Sequence, residues 1–206
     1  PMPLLPEIVD CAGNLGNAHT GLSKQLPILS AIGDQQSASV GQACFHPGSV
    51  KATFGTGCFV ILNTGGRILK SSNRLLTTIG LQLNQKQTYA MEGSIFVAGA
   101  VIQWLRDGIG LLKDAKQSEK IASELASNNG VYMVPAFTGL GAPYWSADAR
   151  GAIFGITRDT SPEDFIRAAL EAVAYQTNDL ISAMAQDGMR PTNIKVDGGM
   201  AANNWL

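Results

Sequence analysis

Four short stretches pair a reactive or hydrogen-bonding side chain with glycine, and each lies close to the end of a strand-like run. Open α/β sheets bind ligands outside the carboxyl ends of their strands, so these are the points at which to look for chemistry. The first is Gly33-Asp34-Gln35-Gln36. A carboxylate there can take the proton of a substrate hydroxyl while the neighbouring amide orients that hydroxyl. Asp34 would also serve as the N-cap of a following helix, and on spacing alone capping is the stronger reading. The second is Phe54-Gly55-Thr56-Gly57-Cys58-Phe59, a tight turn in which glycine on either side of Thr56 lets N–H groups and a hydroxyl approach a phosphate. An ordinary glycine hairpin would look the same. The third is Glu92-Gly93-Ser94, leading into a helix with Gly99 and Gln103 four apart on one face. That face either admits a flat ligand or packs closely on a neighbour, and packing is the stronger reading. The fourth, Asp197-Gly198-Gly199 followed by Met200 to Asn203, is a strand–Gly-Gly–helix turn without GxGxxG or GK[ST]. Singly, each is more often structural than functional. In this order they suggest an enzyme that handles phosphate, with the acid and the bends meeting across one gap.

The elements that must position these points follow from hydrophobic pattern. Ile28–Gly33 reads as a buried strand ending at Asp34, and 35–44 as a helix closed by His46-Pro47-Gly48. Strand-like runs cover 50–54, 58–62, 75–83 and 88–91, the last two joined by a hairpin at Asn84-Gln85-Lys86. Helical spacing covers 93–112 and a shorter helix 119–126. Short strands are expected at 131–135, 151–157 and 193–196. Ser161-Pro162-Glu163-Asp164 is a strong helix start, with a Ser N-cap, Pro at the first position and acids in the first turn. Beyond it Ile166, Leu170, Val173, Leu180, Ile181 and Met184 recur as one core-facing stripe to about residue 185. Successive strands followed by helix–strand alternation predict an α/β fold built on a mixed sheet flanked by helices.

Composition narrows the function classes. The 206 residues are 45% hydrophobic and 15% charged, enough for a sizeable core. Fifteen Lys+Arg against sixteen Asp+Glu leave a formal charge of -1, which argues against nucleic acid or an acidic membrane surface as partner. No apolar run reaches spanning length, and no secretion signal is visible. Three scattered cysteines, Cys11, Cys44 and Cys58, fit neither a disulfide framework nor a zinc pair, so a cytoplasmic setting is expected. His19 and His46 stand alone, GxSxG is absent, and the run KDAKQSEK (113–120) reads as a solvated helix face. A Pro-rich opening without Met (Pro1, Pro3, Pro6) and an end at Leu206, a few residues into a helix-like stretch, suggest an internal fragment incomplete at both ends.

Five ordered blocks also carry a family resemblance: GDQQ (33–36), FGTGCF (54–59), EGSIFVAGAVIQWLRD (92–107), VPAFTGLGAPYW (134–145) with ARGAIFGITR (149–158), and VDGGMAANN (196–204). In these the chain resembles the FGGY carbohydrate kinases from about Ile28 onward, and the loop FTGLGAPYW points to the branch acting on glycerol. The resemblance implies an actin-like, ribonuclease-H-like two-domain kinase moving the γ-phosphoryl group of ATP to a glycerol hydroxyl. Residues 1–47 would be the tail of the first domain and 48–206 most of the second. By the same resemblance Asp34 would be the base, Gln35 would bond glycerol and Phe59 would pack on its carbon skeleton. Thr56 would touch the phosphates, and Gly99, Gln103, Gly199 and Asn203 would border the nucleotide. Mg2+ is implied with the nucleotide, its main carboxylate ligand expected outside this stretch, and the full-length protein is expected to be a homo-oligomer. The segment before Pro27 carries Lys24 and no Arg, which speaks against regulation by a sugar bisphosphate.

Overall fold

The computed structural model describes residues 4–19, 21 and 25–206, so Pro1, Pro3 and Lys24 lie outside the described residues. In chain order the elements are β1 (Asn17–Ala18), β2 (Leu26–Pro27), α1 (Asp34–Gly41), β3 (Ser49–Phe54), β4 (Cys58–Gly65), β5 (Leu76–Leu83) and β6 (Lys86–Ile95). There follow α2 (Gly99–Gln103) running into a π-helical turn (Trp104–Gly108), α3 (Gln117–Glu124), β7 (Tyr132–Val134), β8 (Ala152–Phe154), α4 (Pro162–Gln186), β9 (Asn193–Asp197) and a 3-10 turn (Gly199–Ala202). Five strands form the main sheet in the order β5-β6-β4-β3-β9. Only β3 and β9 pair in parallel, so the sheet is mixed as expected.

Strand alternation decides which side chains meet which helix. Val50 and Ala52 of β3 join Val60 and Leu62 of β4 and Met91 of β6 in the core, packed with Leu170, Val173, Leu180 and Met184 of α4. Lys51 and Thr53 point to the opposite face, where α1 lies against β3 and β4. Helix α4 begins as its sequence demands: the Ser161 N–H donates to Asp164 Oδ2 at 2.8 Å, and Pro162 follows. That backbone bond, against the opposing effect of burial and with help from Asn129, holds the Asp164 carboxyl below its ordinary range. At the other end Asp187 accepts hydrogen bonds from Ser71, Ser72 and Asn73, tying the helix end to the segment before β5. No helix among the described residues is long and apolar enough to cross a membrane.

Three expectations are corrected. Ile28–Gly33 is extended but neither buried nor a strand; it bonds to residues 11–16 (Ile28 N–H to Gly16 O, 2.8 Å), and no described helix covers its apolar side chains. The helix expected from Gly93 begins at Gly99, because β6 continues to Ile95, paired with Cys58. It ends at Gly108, not Leu112. The hairpin turn is tighter than expected: Asn84 and Gln85 both have positive φ (51° and 60°), and Lys86 already belongs to β6.

Candidate active site

The turn between β3 and β4 is lashed to the start of α2. Thr56 O accepts from the N–H groups of Ala98 (2.8 Å) and Ala100 (3.0 Å), and Gly55 O accepts from Gly99 N–H (2.8 Å). A side chain on Gly99 would place its Cβ 2.5 Å from Gly55 O, so glycine is what permits this contact. The N–H groups of Ala98, Gly99 and Ala100 are therefore committed to the turn, and the Thr56 side chain is exposed. The bend after β9 is set the same way. Gly198 has φ 91°, and a Cβ there would lie 2.4 Å from Phe54 O. The next residue, Gly199, has open space where its Cβ would be. Asn203 Oδ1 accepts from the N–H groups of Trp205 (3.0 Å) and Leu206 (3.1 Å), and its amide nitrogen has no hydrogen-bond partner among the described residues.

These bends enclose a cleft of about 540 Å³. Thr56, Gly99, Gln103, Gly199 and Asn203, drawn from distant parts of the chain, all line it, as does apolar Leu170 of α4. That volume suits a ligand of nucleotide size. Arg106, Lys116 and Glu119 add charge to its lining, and Arg106 Nε also pairs with Asp107 Oδ1 at 2.6 Å. The reading of 113–120 as a solvated face is thus corrected: Lys116 and Glu119 border the cleft and Ser118 is buried.

Asp34, Gln35 and Phe59 form a second group, on the α1 face of the sheet. Asp34 is not the N-cap; Gly33 takes that place and Asp34 is the first helical residue. Its exposed carboxylate accepts the Gln35 N–H at 2.7 Å. Gln35 Oε1 in turn accepts from the ammonium of Lys51 at 2.5 Å. Lys51 has no solvent exposure, and it also donates to Thr53 Oγ1 (2.8 Å) and to Phe59 O (3.4 Å). Burial pushes its ammonium below the ordinary lysine range, opposed by the charges of Asp197, Cys58, Glu92 and Asp34. Phe59, a residue 41% exposed, shares this face, since it pairs with Thr53. The far end of α1 is tied to β9, with Gln42 Nε2 donating to Asp197 Oδ2 (3.1 Å) and Lys195 Nζ to Gln42 O (2.6 Å). Burial pushes the Cys58 thiol up to about 12, which leaves it inert as a nucleophile.

Asp34, Gln35 and Phe59 are not among the residues that line the cleft: α1 lies on the face of Lys51 and Thr53 and α4 on the other, with the Gly55-Thr56-Gly57 turn at the end of β3 between them. Glu92-Gly93-Ser94 does not line the cleft; Glu92 and Ser94 share the face of Lys51 and Phe59 through the pairs Ile61–Glu92 and Phe59–Ser94, while Gly93 and the Ser94 backbone meet the opposite side. A Cβ on Gly93 would meet Leu180 Cδ1 at 2.4 Å, and Ser94 O accepts the Ala142 N–H at 2.9 Å, so this stretch seats α4 and the 136–150 loop. Lys51, Arg106 and Lys116 border these groups without belonging to any of the four glycine-containing stretches. The signal for Lys51 was a lone lysine inside the apolar strand run from Val50 to Phe54.

A mixed five-stranded sheet flanked by helices, with a cleft at the carboxyl ends of β3 and β9, is the architecture of the actin-like, ribonuclease-H-like kinases. Residues 50–206 match the FGGY family of carbohydrate kinases, C-terminal domain, and the chain belongs to that family. It is 57% identical over 207 residues to a glycerol kinase of Pseudomonas aeruginosa and equally so to the glycerol kinase of Alteromonas mediterranea. Each alignment takes in 100% of this chain and 42% of the relative, so the chain spans well under half the length of the curated relatives it matches. Among solved structures it is similar to the Plasmodium falciparum glycerol kinase with ADP, at TM-score 0.91 and 38% identity over 98% of this chain and 41% of that one. A xylulose kinase from Rhodospirillum rubrum matches at TM-score 0.80 and 22% identity over 98% of this chain and 41% of its own, a likeness of fold alone.

Proposed function

We propose that this chain is part of a longer ATP-dependent kinase that phosphorylates glycerol to glycerol 3-phosphate. The observation that carries the reading is the convergence of Thr56, Gly99, Gln103, Gly199 and Asn203 on one cleft at the Gly55-Thr56-Gly57 turn. The choice of glycerol is supported by the 57% identity to glycerol kinases across the whole chain. Residues 1–47 would close the first domain and 48–206 form most of the second, a division supported by a family match that begins at residue 50.

The residues present fit an adenine nucleotide: Gly198 and Gly99 bring backbone into close contact, Gly199 leaves open space, and Asn203 and Gln103 offer amides. No group of three or more His, Cys, Asp or Glu among the described residues could hold a metal, and the main carboxylate that would hold Mg2+ beside the nucleotide is expected outside this stretch. When bound, ATP supplies the γ-phosphoryl group and Mg2+ offsets charge on the phosphates. The protein's part is positioning and proton transfer. Asp34 takes the proton of the attacking glycerol hydroxyl as that hydroxyl's oxygen bonds to the γ-phosphorus, whose bond to the bridging oxygen breaks to release ADP. The Gln35 amide orients that hydroxyl, the exposed Phe59 ring covers the carbon skeleton, and Thr56 meets the phosphates. The proposal sets the enzyme in the cytoplasm, where free thiols such as those of Cys11, Cys44 and Cys58 stay reduced. The full-length protein is expected to be a homo-oligomer, which light scattering would read.

The test is the full-length protein incubated with ATP, Mg2+ and either glycerol or a panel of pentuloses. Glycerol 3-phosphate as the favoured product is expected. Turnover confined to a pentulose, or ATP binding with no acceptor at all, would overturn the assignment.

A further inference from the structure

Lysine is almost never fully buried without a charged partner. Yet Lys51 is the bulkiest of the fully buried side chains, and no carboxylate lies within ion-pair distance of it among the described residues. Its ammonium is instead satisfied by three neutral oxygens: Gln35 Oε1, Thr53 Oγ1 and Phe59 O. An apolar side chain at this point of β3 would avoid the desolvation cost, so the charge calls for an explanation beyond packing.

The chemistry of the donor gives one. An ammonium has three N–H donors and no acceptor, so the end of the Gln35 amide facing it must be the carbonyl oxygen. The other end, Nε2, bonds to none of the described residues and is left with two N–H donors. We propose that Lys51 is a positioning residue for the phosphoryl acceptor, fixing the Gln35 amide so that it can only donate to the acceptor hydroxyl. A hydroxyl that accepts from Gln35 still has its own proton, and the carboxylate of the preceding residue, Asp34, can only accept. Lys51 thus sets the direction of the whole hydrogen-bond chain: ammonium to Gln35, Gln35 to hydroxyl, hydroxyl to Asp34. With the amide reversed, Gln35 would compete with Asp34 for the same proton. The bond to Phe59 O is the longest of the three, at 3.4 Å, so the restraint on the acceptor side falls on Gln35. This inference rests on the reading of Asp34 and Gln35 as the acceptor side of a kinase.

The test is a double-mutant cycle in the full-length enzyme, comparing Lys51→Met, Gln35→Ala and the pair. Lys51→Met should raise the KM for glycerol by about tenfold or more and leave the KM for ATP within about twofold, the loss of one charge-assisted bond. The double variant should be no worse than Gln35→Ala alone, because Lys51 acts through Gln35. Gln35→Glu supplies a second arm that keeps Lys51 partnered, so it preserves the fold while removing both N–H donors; it should show the glycerol defect of Gln35→Ala. Wild-type glycerol kinetics in Lys51→Met, effects that multiply in the double variant, or an equal rise in the KM for ATP would overturn the proposal. Should Lys51→Met not fold, Gln35→Glu decides, and a wild-type KM for glycerol in it overturns the proposal. An unmutated enzyme that does not phosphorylate glycerol overturns the kinase reading and this inference with it. An active enzyme with a multiplicative cycle overturns this inference alone.

Discussion

The two sides of the Gly55-Thr56-Gly57 turn are built on opposite principles. The cleft side works through what is absent: Gly99, Gly198 and Gly199 let backbone approach backbone or leave room for a ligand, and the fixed parts are main-chain hydrogen bonds. The α1 side works through charge, with an exposed carboxylate at Asp34 that accepts the Gln35 backbone N–H and a buried ammonium at Lys51 that donates to the Gln35 side-chain oxygen. The cleft should therefore fail when it is filled, and the acid side when a charge or a donor is removed.

The largest expected effect tests the acid side. Asp34→Asn keeps size and shape but removes the proton acceptor, and should lower kcat by about 10²–10⁴-fold, the range for loss of a general base. ATP affinity, measured by calorimetry, should be unchanged, because Asp34 lies on the other face from the cleft. Near wild-type turnover would remove Asp34 from the chemistry.

Filling the cleft side should separate two kinds of glycine. Gly99→Ala drives a Cβ to 2.5 Å from Gly55 O, a backbone atom that cannot swing aside, so the 55–57 turn must move. A loss of about 1–3 kcal/mol in denaturant unfolding is expected, the range for overpacking, with a rise in the KM for ATP. Gly199→Ala meets no protein atom within 4 Å and should leave stability within about 0.5 kcal/mol. Any loss of ATP affinity in that variant then reports the ligand itself. If both variants lost stability equally, the distinction between a packing glycine and a ligand-facing one would be wrong.

The same contrast explains what could be read from sequence. Glycine turns, the Ser161-Pro162 helix start and the stripe from Ile166 to Met184 are local patterns, and each appears where its pattern puts it. Long-range pairing was not legible. Ile95, Gly99 and Ile102 have helical spacing, yet Ile95 is held in β6 by pairing with Cys58, so the pattern straddles a strand–helix junction. An apolar run such as Ile28–Gly33 looks alike whether or not anything packs over it. The roles of Lys51, Lys116 and Glu119 depend on which face α1 covers and where the cleft opens, and a charge in a sequence carries no record of either.

The smallest expected effect lies far from both groups and bounds the comparison from outside. Asp187 sits just past the carboxyl end of α4, where a negative charge opposes the helix dipole. Burial also works against its ionised form, yet the hydroxyl and N–H donors of Ser71, Ser72 and Asn73 outweigh it and hold the carboxyl below its ordinary range. A carboxyl depressed by folding contributes stability above its unfolded pKa, near 3.8, and loses it as pH falls through the lower folded value. Asp187→Ala should therefore cost about 1 kcal/mol at neutral pH, discounted for partial exposure, with glycerol and ATP kinetics unchanged. The gap in stability between variant and wild type should narrow below about pH 4, the ordinary carboxylate range. A gap that persisted in acid would assign the loss to packing, and a change in kcat would show that the anchor of α4 reaches the cleft after all.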